Sequence, residues 1–432
     1  MTQSEKGASS TEERLQVLST YIESPLNNEH TERLLFGQAD GYRLYDHTGK
    51  DYIDLINGKG SVILGHNDQD VTLAIQAFLT EKRNIITGPA ETILTLANQI
   101  SEDIALPDAR VSFYTTGTAV CRVAATTARQ VTGKHMILSA GYHGWDPMWE
   151  QDGEFLQPNH DGIVDFYFVP ELLEQALQRY GSQTALVIIA PDYTYLQPET
   201  LQNIFALSRS YGVPICCDDV KQGYRHRQGS SLPLAVSEQA DLYTFSKGLA
   251  NGLRISCIVG RSVLMEGTKE LTYTSYYDML PVAAAVATLQ KMRTNQGYDH
   301  LNTIGKKLVT ELNALFQRYN LPAQANGHAP IFQFVFADED IEETFYKEAV
   351  TAGLLLFEGD NQTISFCFNE HTVQELLERF ERVVTVLVRQ FARKSGQSIT
   401  PETTFRTAWN MIDGAADVLP YEQKVALIQE LR

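Results

Sequence analysis

The chain is poor in cysteine, with five in 432 residues, and those five suit neither crosslinking nor metal binding. Their number is odd, none shows C-x-x-C spacing, and Cys216 and Cys217 are adjacent in an apolar stretch that reads as a buried strand. This excludes a disulfide framework and a thiolate zinc site, and predicts a reducing cytoplasm as the compartment. Long apolar runs are also missing: no stretch approaches the roughly 20 residues that a membrane-spanning helix needs. The polar opening MTQSEKGASSTEER lacks the apolar core of a signal peptide. The ten histidines show no ligand spacing, no serine–histidine–aspartate arrangement stands out, and no G-x-G-x-x-G turn is present. Positive charge is in deficit. Lys and Arg number 35 against 53 Asp and Glu, a formal net charge of −18 spread along the chain. Such a surface serves solubility, disfavours nucleic acid and anionic membrane as partners, and attracts polycations.

What remains is an ordinary globular composition, 43% hydrophobic, enough for a large core divided between more than one lobe. A short helix is expected over 12–22, closed by Pro25, followed by a β-hairpin within 41–56 around His47-Thr48-Gly49-Lys50. Helices follow over 71–81 and 91–104. Continuous apolar runs then alternate with helical stretches, predicting strands at 111–115, 135–139, 163–169, 185–190, 213–217, 242–245 and 255–260. Runs of this kind specify an α/β fold, a mostly parallel seven-stranded sheet covered on both faces. A helix over 281–293 leads into a smaller α+β lobe, with helices at 300–319, 342–352 and 372–394 and strands at 331–336 and 363–368. The expected division is an arm and hairpin over 1–60, a large domain over 61–293, a small domain over 294–394 and a helical extension over 395–432.

Ligands in such sheets bind at the carboxyl ends of the strands, and four polar motifs fall there. Thr116, Gly117 and Thr118 lie between a strand and a helix, whose free N-terminal amides suit a phosphate. A Thr-Gly-Thr cap needs no ligand, so this motif alone is weak. Tyr142 follows the strand at 135–139 and offers a face for an aromatic ring, although aromatics there also roof a core. Asp218 and Asp219 end an apolar strand, where a carboxylate needs a cationic or hydrogen-bonding partner: a protonated pyridine nitrogen would serve, or an ion pair with Arg225 or Lys221. Lys247 directly follows the strand at 242–245, and Gly248, Ala250 and Gly252 clear space around it. A partly desolvated amine there is nucleophilic toward carbonyls. Cradle, ring, acid and amine in this order point to pyridoxal 5′-phosphate.

Over residues 41–390 the sequence resembles the class III, pyridoxal-phosphate-dependent aminotransferases of fold type I. The resemblance rests on DHTGKDYIDL, ILGH, the Thr116–Thr118 turn, YHG from Tyr142, D-x-V-x-x-G-Y-R from Asp218 to Arg225, and SKGLANG. It implies Gly117 and Thr118 at the cofactor phosphate, Tyr142 on its ring, Asp218 at the ring nitrogen and Lys247 bonded to it. Thr274 matches the threonine that reaches the phosphate of the neighbouring subunit, which implies a homodimer with shared sites. LSAGYHGWDPMW, FEGDNQTIS and RTAWNMIDG are similar to a narrower group, the 6′-aminotransferases of 2-deoxystreptamine aminoglycoside biosynthesis. That similarity implies small-molecule substrates, with L-glutamine as amino donor and an aminoglycoside 6′-aldehyde, such as 6′-dehydroparomamine, as acceptor. Arg225 and Arg227 are then candidates for the donor carboxylate, and Asp146, Glu150, Asp278, Glu358 and Asp360 for the acceptor's ammonium groups. The chain departs from glutamate-1-semialdehyde aminomutases at Lys59, where they carry an aromatic, at Ala119, where they carry Glu, and at Ala190-Pro191-Asp192, where they carry Glu-Pro. A mutase or racemase using the same lysine, or a non-catalytic cofactor-binding protein, are the competing expectations.

Overall fold

The computed structural model describes residues 34–151, 155–236, 238–272, 278–394 and 399. The helix expected over 12–22, Thr274, and the extension over 395–432 apart from Ile399 lie outside the described residues.

Three antiparallel strands open the described chain: β1 (Phe36–Asp40), β2 (Arg43–Asp46) and β3 (Asp51–Asp54). β2 and β3 form the expected hairpin. Its turn is held by Asp46, whose Oδ1 accepts from the amides of Thr48 at 2.8 Å and Lys50 at 3.1 Å. Helices α1 (Gln69–Thr80) and α2 (Glu91–Ile104) follow.

The central sheet has seven strands: β4 (Ala109–Tyr114), β5 (Met136–Ala140), β6 (Ile163–Asp165), β7 (Thr184–Ile189), β8 (Ile215–Asp218), β9 (Leu242–Phe245) and β10 (Ser256–Arg261). Their order is β4-β10-β9-β8-β7-β5-β6. From β9 to β6 all neighbours are parallel, and only β10 runs against both of its neighbours. Helices α3 (Gly117–Thr132), α4 (Pro170–Tyr180) and α5 (Pro198–Ser210) make the crossovers.

The unbroken apolar run of β7 shows why both faces are covered. Leu186 and Ile188 pack with Val120, Cys121 and Ala124 of α3, while Val187 and Ile189 pack with Leu201, Ile204 and Phe205 of α5. Each such side chain contributes about 1.5–3 kcal/mol relative to exposure. β6 is shorter than its apolar run predicts. Asp165 Oδ1 accepts from the Tyr167 amide at 2.6 Å, and Tyr167 and Phe168 take φ of 51° and 59°, which turns the chain toward α4.

After α6 (Leu280–Thr294) comes the second lobe: α7 (Gly297–Arg318), β11 (Ala323–Asn326), β12 (Ile331–Phe336), α8 (Glu339–Thr351), β13 (Leu354–Leu355), β14 (Gln362–Thr363) and α9 (Glu370–Gln390). β11, β12 and β14 form an antiparallel sheet, while β13 pairs in parallel with β3 and so ties the hairpin to this lobe. Phe345 of α8 anchors the lobe's core, 4.9 Å from the ring of Phe334 and 5.9 Å from that of Phe380. Only the first residue of the strand expected at 363–368 pairs in the sheet. Beyond it the Phe366 amide donates to Ile63 O at 2.7 Å and the Phe368 amide closes on Ser365 O at 3.0 Å, so the segment folds onto the loop before α1. No helix among the described residues is long and apolar enough to cross a membrane.

Candidate active site

The carboxyl ends of β5, β7, β8 and β9 and the first turn of α3 surround a cavity of about 390 Å³. Lys59, Phe357 and Asp360 close its other side, so both lobes line it. Lys59 reaches it from a left-handed turn, and its Nζ lies 5.2 Å from the centre of the Phe357 ring.

Lys247 enters the cavity one residue after Ser246, whose hydroxyl is tied to Ile255 O at 2.8 Å. Its φ is 38°, in the left-handed region that non-glycine residues avoid at a cost of about 1–3 kcal/mol. Burial, and next the charge of Lys221, lower its amine to about 8, with Asp360 and Asp218 opposing. The free amine is therefore accessible near neutral pH.

Asp218 is 4% exposed and ends β8 at the cavity floor. Neither Arg225 nor Lys221 pairs with it. Its Oδ1 accepts from Thr244 Oγ1 at 3.0 Å and from the Val220 amide at 3.1 Å. Its Oδ2 lies 2.8 Å from His143 Nδ1 and accepts from Cys121 Sγ at 3.1 Å. Burial, then the Asp218 charge, push the Cys121 thiol well above its ordinary value, so it stays a protonated donor. Cys121, His143 and Asp218 place their ligand atoms within 4.8 Å of one another, and the protonated thiol makes this a clamp on the carboxylate and a poor metal site. The adjacent Asp219 points elsewhere. Its carboxylate takes the Ser231 amide at 3.0 Å and the hydroxyls of Ser230 and Ser231, and burial lifts it to about 6.

The loop after β5 brings Tyr142 to the cavity rim, 46% exposed, and packs on the start of α3. The contact is close: Thr118 Oγ1 accepts from the Trp145 amide at 3.2 Å, and a Cβ on Gly144 would lie 2.4 Å from that same oxygen. A Cβ on Gly117 would lie 2.7 Å from Val220. In the first turn of α3 the Ala119 amide is capped by Thr116 Oγ1 at 3.1 Å, which leaves the amides of Gly117 and Thr118 at the cavity edge.

Lys247, Asp218, Tyr142, Gly117 and Thr118 thus line one cavity. The two arginines do not. Arg225 is 1% exposed and donates to the carbonyls of Gly60 and Ile364, and Arg227 is exposed away from the cavity. Of the five acids expected at the rim, Asp360 lines the cavity and is bound to Lys221 at 2.7 Å. Asp146 and Glu150 line a neighbouring cavity and Asp278 another, while Glu358 lines none of these. His143, Cys121, Thr244 and Asp192 carried no assignment from sequence. For His143 the signal lay in plain view, inside the YHG motif; the others gain meaning only when β8, β9 and α3 are side by side.

The donor set fits pyridoxal 5′-phosphate. A buried carboxylate at the floor is held by four donors, an amine of lowered basicity shares its cavity, and the first turn of α3 presents the Gly117 and Thr118 amides with no room for a side chain at Gly117.

Comparison with known proteins agrees. Residues 26–146 and 171–384 match the aminotransferase class-III family. The 2′-deamino-2′-hydroxyneamine transaminase of Streptomyces kanamyceticus is 30% identical over 349 residues, covering 79% of this chain and 88% of that protein. A glutamate-1-semialdehyde 2,1-aminomutase of Methylacidiphilum infernorum is 27% identical over 384 residues, with the same coverages of 79% and 88%. Among solved structures, the FumI protein of Sphingopyxis sp. MTA144 superposes with a TM-score of 0.79 at 24% identity, covering 88% of this chain and 97% of that one. With the matched family model spanning both lobes and the site residues in one cavity, the chain belongs to the class-III aminotransferases: it is a pyridoxal-phosphate-dependent transaminase of fold type I.

Proposed function

We propose that the cavity transfers an amino group from an amino acid, L-glutamine in the first instance, to the 6′-aldehyde of an aminoglycoside precursor such as 6′-dehydroparomamine. The observation that carries the transfer itself is the meeting of Lys247 with Asp218 in one cavity. Bound there, pyridoxal phosphate supplies an aldehyde for the donor amine and a conjugated ring that takes up the electron pair released at the α-carbon. Asp218, kept in place by its four donors, holds the proton on the ring nitrogen. Lys247 would hold the cofactor and, when free of it, would move the α-proton as base and then acid. Tyr142 would cover the ring, Gly117 and Thr118 would receive the phosphate, and Thr274 of the partner subunit would complete that phosphate site in a homodimer. The setting is cytoplasmic.

The sugar acceptor draws its support from the neamine-type relative and from carboxylates at the cavity, Asp192 and Asp360. A second reading, a mutase acting on a small amino acid, is supported by the aminomutase relatives. Against it stand Lys59 and Asp192, which line the cavity, and Ala119 in the first turn of α3, all of which depart from that group. The two differ in where nitrogen goes. Incubation with ¹⁵N-labelled glutamine and an oxidised paromamine should place label on the sugar under the first reading. Under the second, glutamate-1-semialdehyde should isomerise without label entering from glutamine.

A further inference from the structure

The cavity contains a second lysine that amino transfer does not itself require. Lys221 follows the end of β8 in the large lobe, and its Nζ lies 2.7 Å from Oδ1 of Asp360. Asp360 lies between β13 and β14 in the second lobe, so the pair bridges the two lobes at the cavity they share with Lys247. The side chains are only 26% and 22% exposed, so their fields are less screened than those of a surface pair.

An ammonium must shed its proton before it can attack a carbonyl, and a nearby like charge favours the free amine. The charged groups acting on Lys247 are Lys221 and Arg225, which favour the free amine, and Asp360 and Asp218, which favour the ammonium. Lys59 also lines the cavity, over the Phe357 ring. Arg225 is fixed by main-chain carbonyls and Asp218 by its four donors, so the Lys221–Asp360 bridge is the adjustable member of this set. A lysine on four methylenes would otherwise swing toward water.

We propose that Lys221, anchored across the lobes by Asp360, is a positioning residue that favours the free amine of Lys247 over its ammonium. This rests on the reading of Lys247 as the lysine that carries the cofactor. It assigns the bridge an electrostatic task distinct from joining the lobes. Lys221 is assigned no chemistry of its own and acts through Lys247.

The test is trace acetylation of the full chain, freed of pyridoxal phosphate, with acetic anhydride across pH 6 to 11, the extent at Lys247 being read by mass spectrometry. In Lys221→Met the midpoint should rise by about one pH unit, so that labelling at pH 7 falls about tenfold. Lys221→Gln provides a second neutral side chain should the methionine variant fold poorly. Lys221→Arg keeps the charge and should label within about twofold of the parent. The double variant Lys221→Met with Asp360→Asn should fall between the parent and Lys221→Met, because the remaining carboxylate no longer favours the ammonium. A structural bridge is broken equally in the single and double variants. Identical midpoints in those two, or a neutral variant that titrates like the parent, would overturn the proposal. Failure of added pyridoxal phosphate to protect Lys247 in the parent would instead overturn the assignment of the site.

Discussion

Nδ1 of His143 lies 2.8 Å from Oδ2 of Asp218, with both side chains buried behind the cavity floor. The imidazole leans on Trp149, ring centres 4.8 Å apart, and so fixes the side of the carboxylate that Thr244 and the Val220 amide leave open. A hydrogen bond to a charged group contributes about 1.5–3 kcal/mol. His143→Ala should therefore slow the donor half-reaction by roughly tenfold to a hundredfold while cofactor binding survives. Stopped-flow absorbance with excess donor reads this directly. An unchanged rate would show that the other three donors suffice.

The two adjacent aspartates should respond in opposite ways. Asp218→Asn keeps the shape but cannot hold a proton on a pyridine nitrogen, so turnover should fall steeply with the fold intact. Asp219→Asn should leave the chemistry within a few-fold and change stability instead. The Asp219 carboxyl titrates at about 6 in the folded chain, against about 3.9 when unfolded. A raised folded value gives stability that is present in full below pH 4 and lost as pH rises through 6. The parent should thus gain up to about 3 kcal/mol relative to Asp219→Asn as pH falls from 7 to 4. Denaturant unfolding at several pH values checks the sign. A flat difference over that window would contradict it.

The fold was legible because burial leaves a plain trace. The runs at 184–189 and 242–245 are apolar at every step or nearly so, and only strands covered on both faces need that. β6 was over-read for the same reason: Tyr167 and Phe168 are buried like strand residues, yet they sit in a left-handed turn that apolarity does not encode. The site divides similarly. Lys247, Asp218 and Gly117 stand at strand and helix ends, where sequence order gives position. Cys121 and Thr244 touch Asp218 from across 97 and 26 residues, and only the packing of α3 and β9 on β8 reveals them. Arg225 was misplaced because its motif gives a location and no direction. Its guanidinium turns to the carbonyls of Gly60 and Ile364, away from the cavity.

Thr274→Val tests the shared site. Loss of its hydroxyl should weaken retention of pyridoxal phosphate by roughly tenfold, about 1.4 kcal/mol, and cofactor loss should track dissociation of the proposed homodimer. Sedimentation alongside cofactor absorbance measures both. A stable, fully active monomer would exclude the shared site.

Charge should separate the two substrates. Asp192 lines the cavity and forms no ion pair among the described residues, and the chain carries a net charge of −18. Raising ionic strength from 0.05 to 0.5 M should weaken the apparent affinity for a polycationic sugar several-fold and leave zwitterionic glutamine nearly unaffected. Asp192→Asn should mimic the salt for the sugar alone. Equal salt sensitivity for both substrates would count against a polycationic acceptor.

Everything assigned to the cavity depends on one amine, so the most direct measurement is the donor half-reaction of Lys247→Ala. The variant should fold and bind pyridoxal phosphate without a covalent bond. Its conversion of cofactor to the pyridoxamine form, followed by absorbance, should be slower by about 10⁴-fold or more, since a single group provides both the attachment and the proton transfer. A rate within about tenfold of the parent, a barrier change of only about 1.4 kcal/mol, would contradict the assignment of Lys247.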